Sequence, residues 1–223
     1  MNSALDPYVP NWGRMAPAQL AGEPVLQDDV LLLPTSLGTL RLSLHEFGMR
    51  LRSGGDVRDY GILCGNLVPL SLTLDHVGSE DASEFRLHAR TAAGTELLVI
   101  IGRTPFSFVL YSDGRRVQES PRDGHFVRRF RLPPLARHDD RWLLTLELGS
   151  ATPVYGLGEK SGRLDKRGQL LRSYNRDALG LNAEWSYKNA PYAWSPEGWG
   201  AFVHTPAPVT HGVGYGPWSQ RAY

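Results

Sequence analysis

Hydrophobic and polar residues alternate in several short segments from Val25 onward. Because successive side chains of a β-strand point to opposite faces of a sheet, this alternation predicts strands with one face on a core. The apolar positions of these segments are Leu40, Leu42 and Leu44; Leu70, Leu72 and Leu74; Phe85, Leu87 and Ala89; and Trp142, Leu144, Leu146 and Leu148. Residues 97–101 are apolar throughout, which predicts a more central strand.

Turn-forming residues separate the predicted strands. Asp113-Gly114 lies between residues 106–111 and 116–119, and both residue types tolerate the positive φ of a tight hairpin. The other turn sequences are Gly54-Gly55, Gly78-Ser79, Gly94, Asp123-Gly124 and Pro133-Pro134. No stretch of twelve or more residues carries a helical apolar stripe. Many short strands without helices predict an all-β fold, an antiparallel β-sandwich.

The first 24 residues differ from the rest of the chain. They are rich in Pro, Gly, Ala and Asn, and they show no periodicity around their two aromatic residues, Tyr8 and Trp12. We therefore expect residues 1–24 to form an irregular N-terminal arm and residues 25–223 to form a single β-sandwich domain.

The composition of the chain argues against two classes of binding partner, nucleic acids and membranes. Hydrophobic residues make up 41% of the 223 residues, charged residues make up 21%, and the formal net charge is +1. This balance argues against a general electrostatic nucleic-acid binder, although it leaves room for a local basic patch. No apolar run approaches the roughly 20 residues of a membrane span, and the N-terminus has no signal-peptide pattern. We expect neither nucleic-acid nor membrane partners.

The single cysteine, Cys64, cannot form an internal disulfide, and we interpret it as a small buried hydrophobic residue. A lone cysteine fits a reducing compartment, so we expect a cytoplasmic location. The seven histidines are scattered, and no two have the spacing of metal ligands. We expect no metal site and no cofactor.

The most distinctive short segment is glycine-rich. A dinucleotide fingerprint would follow Gly156 and Gly158 with a third glycine, but Ser161 stands there and no helical pattern follows. A phosphate loop would need Gly-Lys-Ser, but Glu159 separates Gly158 from Lys160 and places negative charge where a phosphate would bind. The remaining interpretation is a strand that enters a tight turn, with glycines where backbone passes close to other backbone.

A family resemblance extends well beyond this segment, which reads Val154-Tyr155-Gly156-Leu157-Gly158-Glu159-Lys160. The other matching segments are Ile101-Gly102-Arg103-Thr104-Pro105-Phe106 through Asp113-Gly114, Lys166-Arg167-Gly168, Tyr174-Asn175-Arg176-Asp177-Ala178, Tyr187-Lys188-Asn189-Ala190-Pro191-Tyr192 and residues 198–204. In order and spacing they resemble the N-terminal, galactose mutarotase-like β-sandwich of glycoside hydrolase family 31, over about residues 25 to 215. That family holds α-glucosidases, α-xylosidases and related retaining enzymes.

The resemblance implies that catalysis belongs to another domain. Retaining glycoside hydrolysis needs two carboxylates, and in this family both are aspartates on a (β/α)8 barrel that follows the sandwich. No alternating strand-helix pattern occurs here, and 223 residues cannot hold both domains. We therefore expect a fragment without catalytic residues, inactive alone. Its partners would be its own barrel and, through the whole enzyme, an α-linked oligosaccharide or glycoside.

One loop of the family's N-terminal domain reaches the sugar pocket. By motif match this role falls on Asp177, with Arg176 beside it. A carboxylate accepts hydrogen bonds from two sugar hydroxyls, and arginine donates a fork of hydrogen bonds. The alternative is that Asp177 caps a turn through its own backbone, as Asp residues often do.

Aromatic residues are concentrated after the glycine-rich segment. They are Trp185, Tyr187, Tyr192, Trp194, Trp199 and Trp218. Aromatic faces stack on sugar rings, so the cluster could be a carbohydrate platform. We favour a domain interface for most of them, because large exposed apolar patches usually mark a partner surface.

Two other functions remain as alternatives. A free-standing mutarotase-like module would use a glutamate base and histidine acids, and its candidates are His204, His211 and either Glu184 or Glu197. A non-enzymatic carbohydrate-binding or protein-interaction sandwich would use the aromatic cluster.

Overall fold

The structure is a computed structural model that describes residues 15–54, 67–77, 84–121, 132–177, 186–216 and 221–223. Within these ranges it contains nineteen β-strands and no helix, so the predicted all-β class is confirmed. In that part of the chain, accordingly, no helix is long and apolar enough to cross a membrane. The strands divide between two compact units, which we call the N-terminal unit (strands within residues 14–144) and the C-terminal unit (strands within residues 145–223).

The N-terminal unit contains twelve strands in three antiparallel sheets. The strands are β1 (Ala16–Pro17), β2 (Val25–Gln27), β3 (Val30–Thr35), β4 (Gly38–His45), β5 (Gly48–Ser53), β6 (Thr73–Val77), β7 (Glu84–Arg90), β8 (Glu96–Gly102), β9 (Ser107–Ser112), β10 (Arg115–Glu119), β11 (Leu135–His138) and β12 (Arg141–Leu144). The sheet orders are β10-β9-β8-β7-β6, β2-β3-β4-β5 and β1-β11-β12.

The apolar run at residues 97–101 lies in β8, the middle strand of the five-stranded sheet, as predicted. Leu97, Val99 and Ile101 are buried on one face of that strand. Phe85 and Leu87 of β7, in the same sheet, and Leu40 and Leu42 of the four-stranded sheet are almost completely buried, so period-two alternation identified the core face of both sheets.

The predicted hairpin at Asp113-Gly114 is confirmed. It connects β9 and β10, and Ser112 pairs directly with Arg115 across the turn. Both turn residues have positive φ, 47° at Asp113 and 73° at Gly114, which suits the right-handed twist of the two strands.

The predicted continuous strand from Trp142 to Leu148 is wrong. The strand β12 ends at Leu144, and Trp142 and Leu144 are exposed while Leu143 between them is buried. Trp142 instead packs outside the core beneath Arg137, whose guanidinium carbon lies 5.3 Å from the ring centroid. Beyond Thr145 the chain enters a strand of a different sheet, so one alternation cannot describe both segments.

The C-terminal unit contains seven strands in two antiparallel sheets. The strands are β13 (Leu146–Glu147), β14 (Tyr155–Gly156), β15 (Gln169–Ser173), β16 (Tyr192–Ser195), β17 (Trp199–Phe202), β18 (Val209–Val213) and β19 (Arg221–Ala222). The sheet orders are β13-β19-β18-β15 and β14-β16-β17. Leu148, Val154 and Val213 form a buried cluster, against which Ala193 and Trp199 pack.

The predicted division of the chain into an N-terminal arm (residues 1–24) and a single domain (residues 25–223) stays a prediction. Residues 1–14, including Tyr8 and Trp12, lie outside the described residues. Within the rest of the predicted arm, Ala16–Pro17 forms β1 and pairs with β11. Cys64 also lies outside the described residues.

Candidate functional site

The glycine-rich segment is a strand that enters a turn, as the sequence predicted. Tyr155–Gly156 forms β14, and Leu157 N donates a hydrogen bond to Tyr192 O at 2.9 Å. A Cβ on Gly158 would lie 2.5 Å from Lys188 O, a separation that real side chains do not adopt. The glycine is required there because backbone meets backbone.

Lys160, at the end of this segment, joins it to two other parts of the C-terminal unit. Its Nζ donates hydrogen bonds to Arg172 O in β15 and to Ser186 Oγ, the latter at 3.2 Å. This role was not predicted from the sequence, since a lysine after a glycine-rich turn is typical of a phosphate loop. Here its charge is directed at the backbone beneath the loop that follows β15.

The predicted sugar-binding loop leaves β15 at Tyr174, and its base is held by hydrogen bonds. Asn175 forms a parallel bridge with Ser186, and Arg176 N donates to Ser186 O at 3.2 Å. The Asn189 side-chain nitrogen donates to Tyr174 O and to Asn175 Oδ1, both at 2.9 Å. The two ends of the loop are therefore fixed to each other.

The side chains of Arg176 and Asp177 are both exposed at the exit of this braced base. Within the described residues the Asp177 carboxylate has no hydrogen-bond or ion-pair partner. Residues 178–185, which follow, lie outside the described residues. A guanidinium and a carboxylate on neighbouring residues are thus both exposed, and their contact with sugar stays a prediction.

Beneath the loop, His211 of β18 is buried, and its Nε2 lies 3.0 Å from Ser173 Oγ in β15. Burial lowers the pKa of His211 to about 4, and the Lys160 charge acts in the same direction. The imidazole is therefore neutral at pH 7. A buried, neutral histidine bonded to a serine between two strands supports the loop rather than acting as an acid.

Aromatic side chains cover one face of the β14-β16-β17 sheet. Tyr155 pairs with Trp194, and Tyr192 pairs with Phe202, so all four side chains lie on the same face. The rings of Tyr155 and Trp194 are 5.2 Å apart, while Tyr192 and Trp194 remain 45% and 41% exposed. We call these four residues the aromatic face.

The predicted aromatic cluster therefore separates into different environments. Trp199 points away from the aromatic face and packs on the buried cluster. Tyr187 is exposed outside the strands. Trp185 and Trp218 lie outside the described residues.

The candidate acid and base residues of a mutarotase-like site have other contacts. Glu197 accepts hydrogen bonds from Thr152 Oγ1 at 2.8 and 3.0 Å. The His204 ring lies against Phe202, with 5.6 Å between centroids. Glu184 lies outside the described residues. Among the residues that are described, no group of three His, Cys, Asp or Glu side chains could hold a metal ion.

Comparison with known proteins identifies the family. The model of the glycosyl hydrolase 31 N-terminal galactose mutarotase-like domain matches residues 78–211, more than half of the 223-residue chain. An α-xylosidase of Emericella nidulans is 40% identical over 68 residues, which are 30% of this chain. The α-xylosidase XylQ of Lactiplantibacillus pentosus is 36% identical over 69 residues, which are 31% of this chain.

These relatives are much longer than the matched segments. The alignments cover 9% of each α-xylosidase. A structure of the family 31 dextranase of Flavobacterium johnsoniae, complexed with isomaltotriose, matches 93% of this chain. The match covers 25% of the dextranase chain, with a TM-score of 0.69 and 14% sequence identity. That likeness shows the fold, an all-β, galactose mutarotase-like antiparallel β-sandwich. The chain belongs to the family of N-terminal galactose mutarotase-like domains of glycoside hydrolase family 31.

Proposed function

We propose that this chain is the non-catalytic N-terminal domain of a longer, retaining α-glycoside hydrolase. It packs on the catalytic (β/α)8 barrel and contributes the loop around Asp177, with Arg176, to the sugar-binding pocket. The observation that carries the proposal is the exposed Asp177 carboxylate at the exit of a hydrogen-bonded loop base. Family membership supports it, because the motif containing Asp177 lies within the matched residues 78–211.

The chemistry of the loop suits a sugar ligand. An ionised carboxylate accepts hydrogen bonds from two neighbouring hydroxyls, and the adjacent guanidinium donates to ring or hydroxyl oxygens. Positioning matters as much as chemistry, because an exposed side chain on a loose loop loses conformational entropy when it binds. The Asn175–Ser186 bridge and the Asn189 hydrogen bonds reduce that loss. The substrate we propose is an α-linked oligosaccharide or glycoside, with α-xylosides included because two relatives are α-xylosidases.

The aromatic face is the surface that we assign to the barrel. Tyr192 and Trp194 expose nearly half of their surface in this chain, and such apolar area is usually covered in a whole protein. The opposite face of the same sheet packs on Leu148, Val154 and Val213 through Ala193 and Trp199, so one face of the sheet faces the core and the other carries the exposed Tyr192 and Trp194. We keep a cytoplasmic location as part of this proposal.

Hydrolysis by the isolated 223-residue chain tests the non-catalytic assignment. We expect p-nitrophenyl α-glucoside and p-nitrophenyl α-xyloside to be hydrolysed no faster than in buffer, because both catalytic carboxylates are assigned to the barrel. Circular dichroism of the same sample would show that the sheets are folded. Turnover at an enzymatic rate would contradict the proposal.

The exposed aromatic face also favours a second candidate, a free-standing carbohydrate-binding module. Such a module keeps its affinity without a barrel, so calorimetric titration with maltose and xylose oligosaccharides separates the two functions. We expect no measurable binding by the isolated chain. Binding that is lost in Trp194→Ala would establish the second candidate, and accelerated mutarotation of α-glucose in polarimetry would favour the mutarotase-like alternative.

A further inference from the structure

Three arginines converge on one face of the four-stranded sheet in the N-terminal unit. Arg41 of β4 pairs directly with Arg52 of β5, and Arg50 is diagonal to Arg41 because it pairs with Ser43. Directly paired residues have Cβ atoms about 4.5–5.5 Å apart, and diagonal pairs about 7–8 Å. We call Arg41, Arg50 and Arg52 the arginine face.

In the part of the chain that the structure describes, no carboxylate forms an ion pair with the arginine face. Among the described residues none of the three guanidinium groups has an ion-pair or hydrogen-bond partner. The Nε atom of Arg52 is fully covered and has no hydrogen-bond acceptor. Like charges placed directly opposite each other destabilise a sheet, so this arrangement is unfavourable unless an anion binds to it.

The surroundings of these side chains support the same conclusion. Burial lowers the pKa of Arg52, and the charges of Arg50 and Arg41 lower it further. Burial also lowers the pKa of His45 on the same face of β4, with added contributions from Arg50 and Arg52. Both shifts reflect a site where positive charge is concentrated and partly removed from water.

The neighbouring groups limit the size and type of the anion. Ser43 and His45 are only 1% and 2% exposed and bond to each other at 2.9 Å, so they are not available as ligands. On the other side of Arg41 lies Leu32 of β3, which is apolar. The donors are therefore the guanidinium groups of three arginines at neighbouring positions on one sheet face. A dianion with several oxygens compensates three positive charges better than a single carboxylate does.

We propose that the arginine face binds a small dianionic oxyanion, namely a phosphate or sulfate group, either free or esterified to a sugar. The site belongs to the N-terminal unit and is independent of the Asp177 loop. Its test uses no hydrolysis assay, so failure of this proposal and failure of the proposed function are distinguishable.

The test is thermal unfolding and calorimetric titration of the whole 223-residue chain with sodium phosphate and sodium sulfate, at an ionic strength held constant with sodium chloride. We expect calorimetric binding of both oxyanions and a rise in unfolding temperature that is larger for wild type than for Arg52→Gln, because sulfate and phosphate also stabilise folded proteins without a binding site. Arg52→Gln and, as a second variant, Arg41→Gln should each weaken phosphate binding by about tenfold or more. Arg141→Gln removes an exposed charge on β12 and serves as the matched control with unchanged affinity.

Two further measurements complete the test. One distinguishes a free anion from an esterified one, and the other asks whether Arg52 has only a structural role. Glucose 6-phosphate that binds more tightly than phosphate identifies an esterified ligand, whereas equal binding identifies the free anion. Without oxyanion, Arg52→Gln should unfold at the same or a higher temperature than wild type, because it relieves repulsion. Absence of phosphate and sulfate binding in wild type, or Arg52→Gln that destabilises the free chain and binds phosphate normally, would overturn the proposal.

Discussion

At the scale of single residues, Gly158 and Gly162 separate two reasons why a position requires glycine, namely crowding by other backbone and a positive φ. Both have positive φ, 77° and 100°, but only Gly158 has backbone atoms within 3 Å of a would-be Cβ. We expect Gly158→Ala to lower the free energy of unfolding by about 1–3 kcal/mol more than Gly162→Ala, because only Gly158→Ala adds overpacking to conformational strain. Urea unfolding of both variants measures the difference, and equal losses would contradict the close approach to Lys188.

The second prediction at this scale concerns pH. The pKa of His211 is about 4 in the folded chain, below its ordinary value, so the unfolded chain binds more protons between the two values. Stability should therefore be complete above about pH 6.5 and fall by about 3 kcal/mol as the pH approaches 4. His211→Gln should remove this part of the pH dependence.

Ser173→Ala is the control for that experiment. It removes the partner of Nε2 but leaves the imidazole buried, and burial is the larger cause of the pKa shift. Ser173→Ala should keep most of the pH dependence. Unfolding curves at pH 7, 5.5 and 4.5 compare the three proteins, and an unchanged slope in His211→Gln would refute the assignment.

At the scale of elements, the loop after β15 depends on one side chain. Asn189 bonds to Tyr174 O, Asn175 Oδ1 and Ser186 O, so it closes both ends of the loop. We expect Asn189→Ala to speed hydrogen exchange of the Arg176 amide by about tenfold or more, because its acceptor, Ser186 O, is no longer held in place. Lys188→Ala, which removes only an exposed contact with Glu159 at 3.7 Å, should leave the exchange rate unchanged.

Alternation in the sequence identified the strands at residues 40–44 and 85–89, but at residues 70–74 the strand β6 begins only at Thr73. Residues 97–101 and the Asp113-Gly114 hairpin were predicted from local chemistry alone. The segment from Trp142 to Leu148 failed because the chain changes sheets at Thr145, and a change of sheet leaves no mark in a period of two. A local pattern therefore predicts strands better than it predicts their sheets.

The contacts that form the base of the Asp177 loop and the arginine face could not be predicted from the spacing of residues in the sequence. Asn189 lies within a motif that the sequence singled out, but its bonds reach residues 14 and 15 positions earlier in the chain. The arginine face was predictable in principle, since a tight turn at Glu46 and Phe47 places Arg41 opposite Arg52. That turn carries no Asn-Gly or Asp-Gly signal, so the register was not evident from the sequence.

At the scale of the whole molecule, family membership and the two units place different functions in different parts of the chain. The C-terminal unit carries the Asp177 loop and the aromatic face, and the N-terminal unit carries the arginine face. The first two belong to the proposed role in a longer glycoside hydrolase. The third is a proposed anion site that does not require that role.

The most direct test of the central proposal is kcat/KM of Asp177→Asn in the longer enzyme, measured with an α-xyloside and an α-glucoside. Loss of a charged hydrogen-bond acceptor for sugar should lower kcat/KM for the natural substrate by about 10- to 100-fold. Asp140→Asn, an exposed aspartate between β11 and β12, is the matched control and should stay within about twofold. If Asp177→Asn matches wild type on every α-glycoside that the enzyme hydrolyses, Asp177 does not contact the substrate.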